Sequence, residues 1–229
     1  TLQVGTGSAT AAADALSFVR SESQRLGLDL ATAADQFAKL AAASKGTALE
    51  GKATRDIFTS VAQAATALGL SAEQTGGSLL AIQQIISKGT VSAEELRGQL
   101  GERLPGAFQI AARAIGVTTQ ELDKLLRTGS ITAEQLLPAL SRELDKTFGS
   151  QSEQAAQGLT AQMNRMNTAI FDLKIAIGES GLINFLSSGI ELATKLANAL
   201  TNAFGGGSQR LSPIEKQISL IKTLEEELE

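Results

Sequence analysis

The stretch KGTVSAEELRGQLGERLPGAFQIAARAIGVTTQELDKLLRTGSITAEQLLPAL, residues 88–140, decides the fold. Three times within it, a β-branched residue precedes a Ser or Thr, an acid or amide follows the hydroxyl by three residues, and a Leu follows it by four. The sets are Val91, Ser92, Glu95 and Leu96; Val117, Thr118, Glu121 and Leu122; and Ile131, Thr132, Gln135 and Leu136. This is the spacing of a capping box with a hydrophobic staple, so it predicts three helix starts.

Two prolines and an internal echo lie in the same stretch. Pro105 is predicted to open a further helix, because proline suits the first helical position. Pro138 interrupts an apolar helical pattern, so a kink or a fresh helix start is expected near it. The strings SKGTVSAEEL and RTGSITAEQL begin 40 residues apart, at Ser87 and Arg127. One such pair is too little for a solenoid, and it is interpreted as reuse of one helix-start device.

The composition favours an all-α fold and disfavours most enzyme chemistry. Aromatic residues make up 3% of the 229-residue chain, and Trp, Tyr, His and Cys are absent. The core must therefore consist of Leu, Ile, Ala and the eight Phe, and Ala and Leu have high helix propensities. Without His or Cys, the commonest metal ligands, bases and nucleophiles are missing. No catalytic residue, metal site or cofactor is expected.

Apolar periodicity upstream of this stretch predicts four more helices. They span about residues 8–26, 30–43, 50–68 and 71–88, and the last begins with a cap from Ser71 and Gln74. A glycine suited to left-handed termination follows each of the first three. The strings GTGS at 5–8 and TGGS at 75–78 lack a P-loop lysine and a preceding strand. Both strings are therefore predicted to be turns.

The charge pattern argues against direct nucleic-acid binding. The net charge is −4, and charges of both signs are spread along the chain. A phosphate backbone would need a basic face, and single-stranded nucleic acid would also need stacking aromatic residues. The sequence offers neither feature.

The apolar pattern changes after residue 149. Residues 149–158 are polar and are interpreted as a joint. Beyond them, apolar residues recur at intervals of three and four, which is the spacing of a coiled-coil seam. These partner-binding candidates are Met163, Met166, Ile170, Leu173 and Ile177 and, after the glycines at 205–207, Ile214, Ile218 and Ile221.

The expected architecture is a bundle of short capped helices followed by longer coiled-coil-like helices. A helical domain is predicted over residues 1–149 and a seam-type helical hairpin over residues 150–204. Residues 205–229 are predicted to form a glycine linker and the truncated start of a coiled-coil helix. From the residues alone, the chain is a non-enzymatic assembly or interaction protein.

Residues 87–116 and the echo TGSITAEQLLPAL closely resemble the N-terminal domain of bacteriophage tail tape measure proteins. The strings AAASKGTALEG at 41–51 and ALGLSAEQT at 67–75 resemble the same family. The resemblance implies a long, largely helical protein packed in the lumen of the virion tail tube, whose length sets tail length and which leaves ahead of the DNA. It also implies assembly in the host cytoplasm, with copies of itself, tail tube protein and a tail assembly chaperone as partners.

Two downstream segments leave other functions open. Glu179-Ser180 resembles the catalytic acid of lytic transglycosylases, but the following GLINFL lacks the segment that family uses, so a helix-to-helix turn is favoured. Residues 182–204 could be a membrane-active, channel-forming segment with membrane contact during DNA delivery. Glu191 and Lys195 interrupt this run, which favours a helix that buries one face on a partner.

The charged residues of the best-matching segment also have two interpretations. They are Arg97, Glu102, Arg103 and Arg113. These side chains could line a partner surface or form a buried ion-pair network. The favoured interpretation is an outer face in solvent, because charges on short helices are usually solvated.

Overall fold

The computed structural model describes residues 9–170 and 172, and within them the protein is all-α, as predicted. The helices are α1 (Ala9–Leu26), α2 (Leu30–Ser44), α3 (Lys52–Ala67), α4 (Ala72–Lys88), a π-helix (Glu94–Leu100), α5 (Gly101–Arg103), α6 (Ala107–Ala114), α7 (Thr119–Arg127) and α8 (Ala133–Ala155). Residues 159–170 are helical as well. The predicted bounds of the first four helices agree with the observed bounds to within two residues.

The core forms where the apolar stripes of these helices meet. Among the helices between Ala9 and Ala155, α3 and α8 form the most extensive pair. A cluster of three rings joins α1, α2 and α3, because Phe37 lies 5.2 Å from Phe18 and 5.3 Å from Phe58 between ring centroids. Such tilted and edge-on contacts are favourable geometries for aromatic pairs. Leu16, which the periodicity places on the inner face of α1, is instead 39% exposed.

In the described part of the chain, three reciprocal capping boxes start helices, and two of them belong to the repeated pattern. Thr118 with Glu121 starts α7, and Thr132 with Gln135 starts α8. Ser71 with Gln74 forms the predicted box at the start of α4. The predicted box of Ser92 and Glu95 is wrong, since the π-helix begins there without a side-chain cap.

Two expectations about prolines are corrected by the structure. Pro105 does not open a helix, because α6 begins only after Gly106, whose φ of 83° ends the preceding turn. Pro138 lies inside α8, which is one continuous helix from Ala133 to Ala155. The alternative of a fresh helix start near Pro138 is therefore wrong, and the alternative of a kink stays a prediction. Packing of Leu137 and Leu140 in the core offsets the one backbone hydrogen bond that the proline removes.

The string TGGS at 75–78 lies within α4 and is not a turn. Its hydroxyls follow the helix, since Thr75 and Ser78 donate to the carbonyls of Ser71 and Gln74 at 2.9 Å. A Cβ at Gly77 would overlap the side chain of Arg103, so this glycine permits a close approach between α4 and α5. The string GTGS at 5–8 lies outside the described residues.

The two echoed segments lie side by side. Thr90 and Thr132 form an isolated antiparallel bridge. The Val91 N–H donates to the Ile131 carbonyl at 3.0 Å, and the Ala133 N–H donates to the Gly89 carbonyl at 2.9 Å. The echo therefore marks two chain segments that pair across the fold, in addition to two helix starts.

The polar segment predicted as a joint is helical over most of its length. Helix α8 continues through Gly149 to Ala155, and Ser152 is buried with its hydroxyl donating to the Gly149 carbonyl at 2.7 Å. The chain divides into two units after Ala161. We call residues 9–161 the head. The described part of the second unit is residues 162–170 and 172, and the predicted boundary at 204 lies outside it.

Candidate functional site

Glu95 is a buried carboxylate at the junction of α4 and the π-helix. Its side chain is 1% exposed, and it forms an ion pair with Lys88 at the end of α4. The Ser92 hydroxyl, in the loop between them, donates to the other carboxylate oxygen. Lys88 itself is 54% exposed, so the cation reaches in from the surface.

Opposing influences act on the pKa of Glu95. Burial is the largest influence and would raise this pKa. Hydrogen bonds from Lys88, Ser92 and the Glu95 backbone N–H, together with the Lys88 charge, lower it. The net result is a pKa below the usual value of 4.5, so the carboxylate is charged at neutral pH.

The π-helix explains why this acid turns inward. A π-helix makes i→i+5 hydrogen bonds, which bring residues five apart onto one face. Glu95 and Leu100 have this spacing, and both are fully buried along with Leu96. A covered carboxylate with a lowered pKa lacks the raised pKa and open cleft of a general acid. We therefore interpret Glu95 as a residue that stabilises the junction of α4 and the π-helix through its contacts with Lys88 and Ser92.

Arg97 and Arg113 connect helices. Arg97 Nη2 lies 3.1 Å from Asp123 Oδ1, and its guanidinium carbon lies 4.2 Å from the Phe108 ring centroid. Arg113 Nε donates to Glu143 Oε1 at 3.0 Å. Both arginines are 54% exposed. Both arginines therefore connect helices while staying half-exposed. This arrangement is neither a buried ion-pair network nor an outer face that contacts solvent alone.

The remaining two charged candidates differ from each other. Arg103 packs on Gly77 and donates to the Gln99 carbonyl at 2.9 Å, so it has a structural role. Glu102 is exposed. The ion pairs of Arg97 and Arg113 are made with Asp123 and Glu143 instead.

A groove of about 450 Å³ lies between α3 and α8. Lys52 and Asp56 line it from α3, and Arg142 and Asp145 line it from α8. Lys52 and Asp56 pair with each other at 2.6 Å. The groove therefore offers charges of both signs, which select no single class of ligand.

The seam candidates fall partly within the described residues. Met163 is 50% exposed, and Met166 and Ile170 are half-buried on the helix that spans residues 159–170. Their helical placement brings these three onto one face. The other candidates, Leu173, Ile177, Ile214, Ile218 and Ile221, lie outside the described residues.

The two segments that carried alternative functions also lie outside the described residues. They are Glu179-Ser180 and residues 182–204. None of the helices in the described part of the chain combines the length and the hydropathy of a membrane span. No group of acidic side chains in that same part of the chain is arranged to hold a metal ion.

A family model described as "Tape measure protein" matches residues 1–179. The match covers the whole head and the described part of the seam. The chain belongs to the tape measure protein family. This membership makes it a component of a bacteriophage tail and agrees with the all-α fold.

A curated tape measure relative supports the same assignment. The chain is 35% identical over 105 residues to the "Probable tape measure protein" of Salmonella phage Felix O1 (isolate Felix O1-VT1). The aligned segment is 46% of this chain and 13% of that relative. The chain thus corresponds to a small part of the tape measure protein it matches. No solved structure is significantly similar to it.

Sequence reasoning missed two features of this tape measure chain. The first is the burial of Glu95, for which the only signal was Lys88 seven residues earlier, beside an apolar run. The second is Leu159, which is 54% exposed and lies four residues before Met163. Leu159 therefore fits the coiled-coil spacing of Met163, Met166 and Ile170. Sequence reasoning did not include Leu159 in this pattern, because the pattern was taken to begin after the predicted joint at 149–158.

Proposed function

We propose that the chain is part of a ruler that sets the length of a phage tail. The observation that carries this proposal is the tape measure family match over residues 1–179. The helix over residues 159–170, which leads out of the head, supports it, because an α-helix rises 1.5 Å per residue and so converts chain length linearly into distance. The role is structural and requires no catalysis.

The head and the seam are proposed to have different parts in this role. The head folds around its own core, so its length along the tail does not scale with its residue number. The helix continues beyond the head with Met163, which is 50% exposed, on an apolar face that would need a partner. Distance would therefore be measured by the helical region that follows the head.

The proposed location is the lumen of the tail tube, with release ahead of the DNA at infection. Before that, the protein would assemble in the host cytoplasm. The proposed partners are copies of itself, tail tube protein and a tail assembly chaperone that covers the apolar seam until the tube forms. The exposure of Leu159 and Met163, at 54% and 50%, supports the need for such cover.

The test is an in-frame length series in the helical region of the full-length protein, outside residues 1–179. Each deleted residue is expected to shorten the tail by about 1.5 Å, so removal of roughly 70 residues removes about 105 Å. Tail lengths are measured by electron microscopy. Insertion of the same number of helical residues is the matched control and should lengthen the tail equally. Tails of unchanged length in both variants would refute the ruler.

A further inference from the structure

The groove between α3 and α8 follows two helices that run in the same direction. At one end, the Ala48 N–H, just before α3, donates to Glu134 Oε1 in the first turn of α8 at 2.9 Å. At the other end, a Cβ at Gly149 of α8 would lie 3.9 Å from Gln63 Nε2 of α3. The groove is lined along α3 from Lys52 to Gln63, a length of about 17 Å at 1.5 Å per residue.

Gln63 brings an unsatisfied amide to this groove. The residue lines the groove and is only 7% exposed. Its Oε1 is buried and accepts no hydrogen bond within the described residues. A buried acceptor without a donor destabilises the fold. Because the last torsion of glutamine is broad, the amide can turn either Oε1 or Nε2 toward the groove. A ligand with an N–H group would therefore satisfy the acceptor.

Helix α8 adds three polar groups to the opposite wall. Ser141 is 7% exposed, and its hydroxyl has no hydrogen-bond partner in the described part of the chain. Arg142 is exposed and makes no ion pair with any described residue. Asp145 lines the same wall three residues further on. The groove thus presents an amide and a hydroxyl between a cation and a carboxylate.

We propose that this groove binds an extended polypeptide segment of a partner protein, with an acidic side chain beside Arg142 and a basic side chain beside Asp145. The charges alone select no class of ligand, but the Gln63 amide does. A peptide group offers one N–H and one C=O, which are the complement of a glutamine amide. This docking site in the head is independent of the ruler.

An extended segment fits the groove better than a helix or an anionic polymer. A helix uses its own N–H and C=O groups internally, so it has few left for Gln63. In an extended chain these groups are free, and about five residues at roughly 3.3 Å each span the groove. The carboxylates of Asp56 and Asp145 would repel a phosphate backbone.

The test uses two blocked pentapeptides, because the groove fixes no chain direction. They are acetyl-Ala-Glu-Ala-Lys-Ala-amide and acetyl-Ala-Lys-Ala-Glu-Ala-amide. Each is titrated into the full 229-residue chain labelled with ¹⁵N, and nuclear magnetic resonance follows the Ser141 backbone N–H and the Gln63 side-chain amide. At least one peptide is expected to shift both signals saturably. The neutral peptide acetyl-Ala-Gln-Ala-Gln-Ala-amide should bind several-fold more weakly, and Arg142→Gln should remove that difference.

Gln63→Leu removes the amide at similar volume and should raise the peptide dissociation constant about three- to tenfold, as loss of one hydrogen bond would. The Ser141 signal reports binding in this variant, and helical circular dichroism should be unchanged. Gln109→Leu is the matched control, because Gln109 is exposed on α6 and does not line the groove. It should leave the dissociation constant unchanged. N-methylation of the peptide, which removes its N–H donors, should weaken binding to the wild type but not further weaken binding to Gln63→Leu.

Three results would each overturn the proposal. The first is the lack of a saturable shift with either charged peptide. The second is an equal effect of Gln63→Leu and Gln109→Leu on the dissociation constant. The third is an N-methylation effect as large in Gln63→Leu as in the wild type, since the amide would then not be the partner of the peptide N–H.

Discussion

The two echoed helix starts, residues 89–96 and 129–136, have similar sequences and different structures. In the second, Thr132 and Gln135 exchange hydrogen bonds as a capping box and start the 23-residue helix α8. In the first, Ser92 and Glu95 hold the same places, but the Ser92 hydroxyl donates to a buried carboxylate. A seven-residue π-helix follows.

The surroundings of each start explain the difference. The Gln135 side chain is exposed, and its Oε1 accepts from the Thr132 N–H at 3.1 Å. Glu95 has Lys88 within reach, so its carboxylate can be covered and still be paired. A capping pattern therefore predicts where a helix starts. The tertiary partners decide whether the capping side chain stays at the surface.

The largest expected effect comes from removing the buried acid. Glu95→Ala should lower the free energy of unfolding by about 3 kcal/mol, because it leaves a cavity and removes the acceptor of the Ser92 hydroxyl. Urea unfolding followed by far-UV circular dichroism is the measurement, since the chain has no Trp or Tyr for fluorescence.

Gln135→Ala is the matched control at the second start. It removes one exposed amide and should cost only about 0.5–1 kcal/mol. Equal losses in the two variants would contradict the comparison, because Glu95 would then act as an ordinary surface cap.

The next effect isolates the charge of Glu95 and depends on pH. Glu95→Gln keeps the shape and should cost about 1–2 kcal/mol at pH 7, since hydrogen bonds to charged groups are the stronger ones. The folded pKa of Glu95 is lowered, so its stabilisation is present above the unfolded value near 4.5. It is lost as the pH falls through the lower folded pKa.

The difference between wild type and Glu95→Gln should therefore close on acidification. Urea unfolding at pH 7 and at about pH 3 measures it, and subtracting the two proteins removes the contribution of other carboxylates. Glu94→Gln, at the neighbouring exposed acid, is the control and should change stability little at either pH. A difference that widened in acid would mean that burial outweighs the hydrogen bonds and raises the pKa of Glu95.

Much of the fold could be predicted because its determinants are local. The capping boxes that begin at Ser71, Thr118 and Thr132 each depend on two residues three positions apart. All three are present in the structure, as predicted. The errors arose where distant residues act. Pro138 is accommodated by packing of α8 on α3, and Gly77 lies in a helix against Arg103.

The site was less predictable for the same reason. A capping pattern contains no information about burial, so Glu95 looked equivalent to Gln135 although only Glu95 is covered. The echo was recognised in sequence, but its pairing through Val91 and Ile131 depends on how the intervening helices return the chain. Spacing alone identified Met163, Met166 and Ile170 as one face, and their role in binding a partner stays a prediction.

A smaller effect tests the second start as a true cap. Thr132→Ala should cost about 1 kcal/mol, because the N–H of Gln135 loses the hydroxyl that accepts from it at 3.2 Å. Thr132→Ser retains that acceptor and should stay within a few tenths of a kcal/mol of wild type. Urea unfolding of both variants is the measurement. Similar losses for Ala and Ser would show that the methyl group, and not the cap, carries the effect.

The smallest expected effect comes from giving the second helix start the acid that the first one has. Gln135→Glu puts a carboxylate in the first turn of α8, where the helix dipole favours negative charge, and should stabilise the protein by about 0.3–1 kcal/mol. Glu134 is already in that turn and accepts from the Ala48 N–H at 2.9 Å, so repulsion keeps the gain near the lower end. The gain should shrink in high salt, which screens an exposed charge. Glu is thus favoured over Gln at both starts, through a buried ion pair at the first and through the exposed helix dipole at the second. Destabilisation by Gln135→Glu in low salt would contradict the second of these effects.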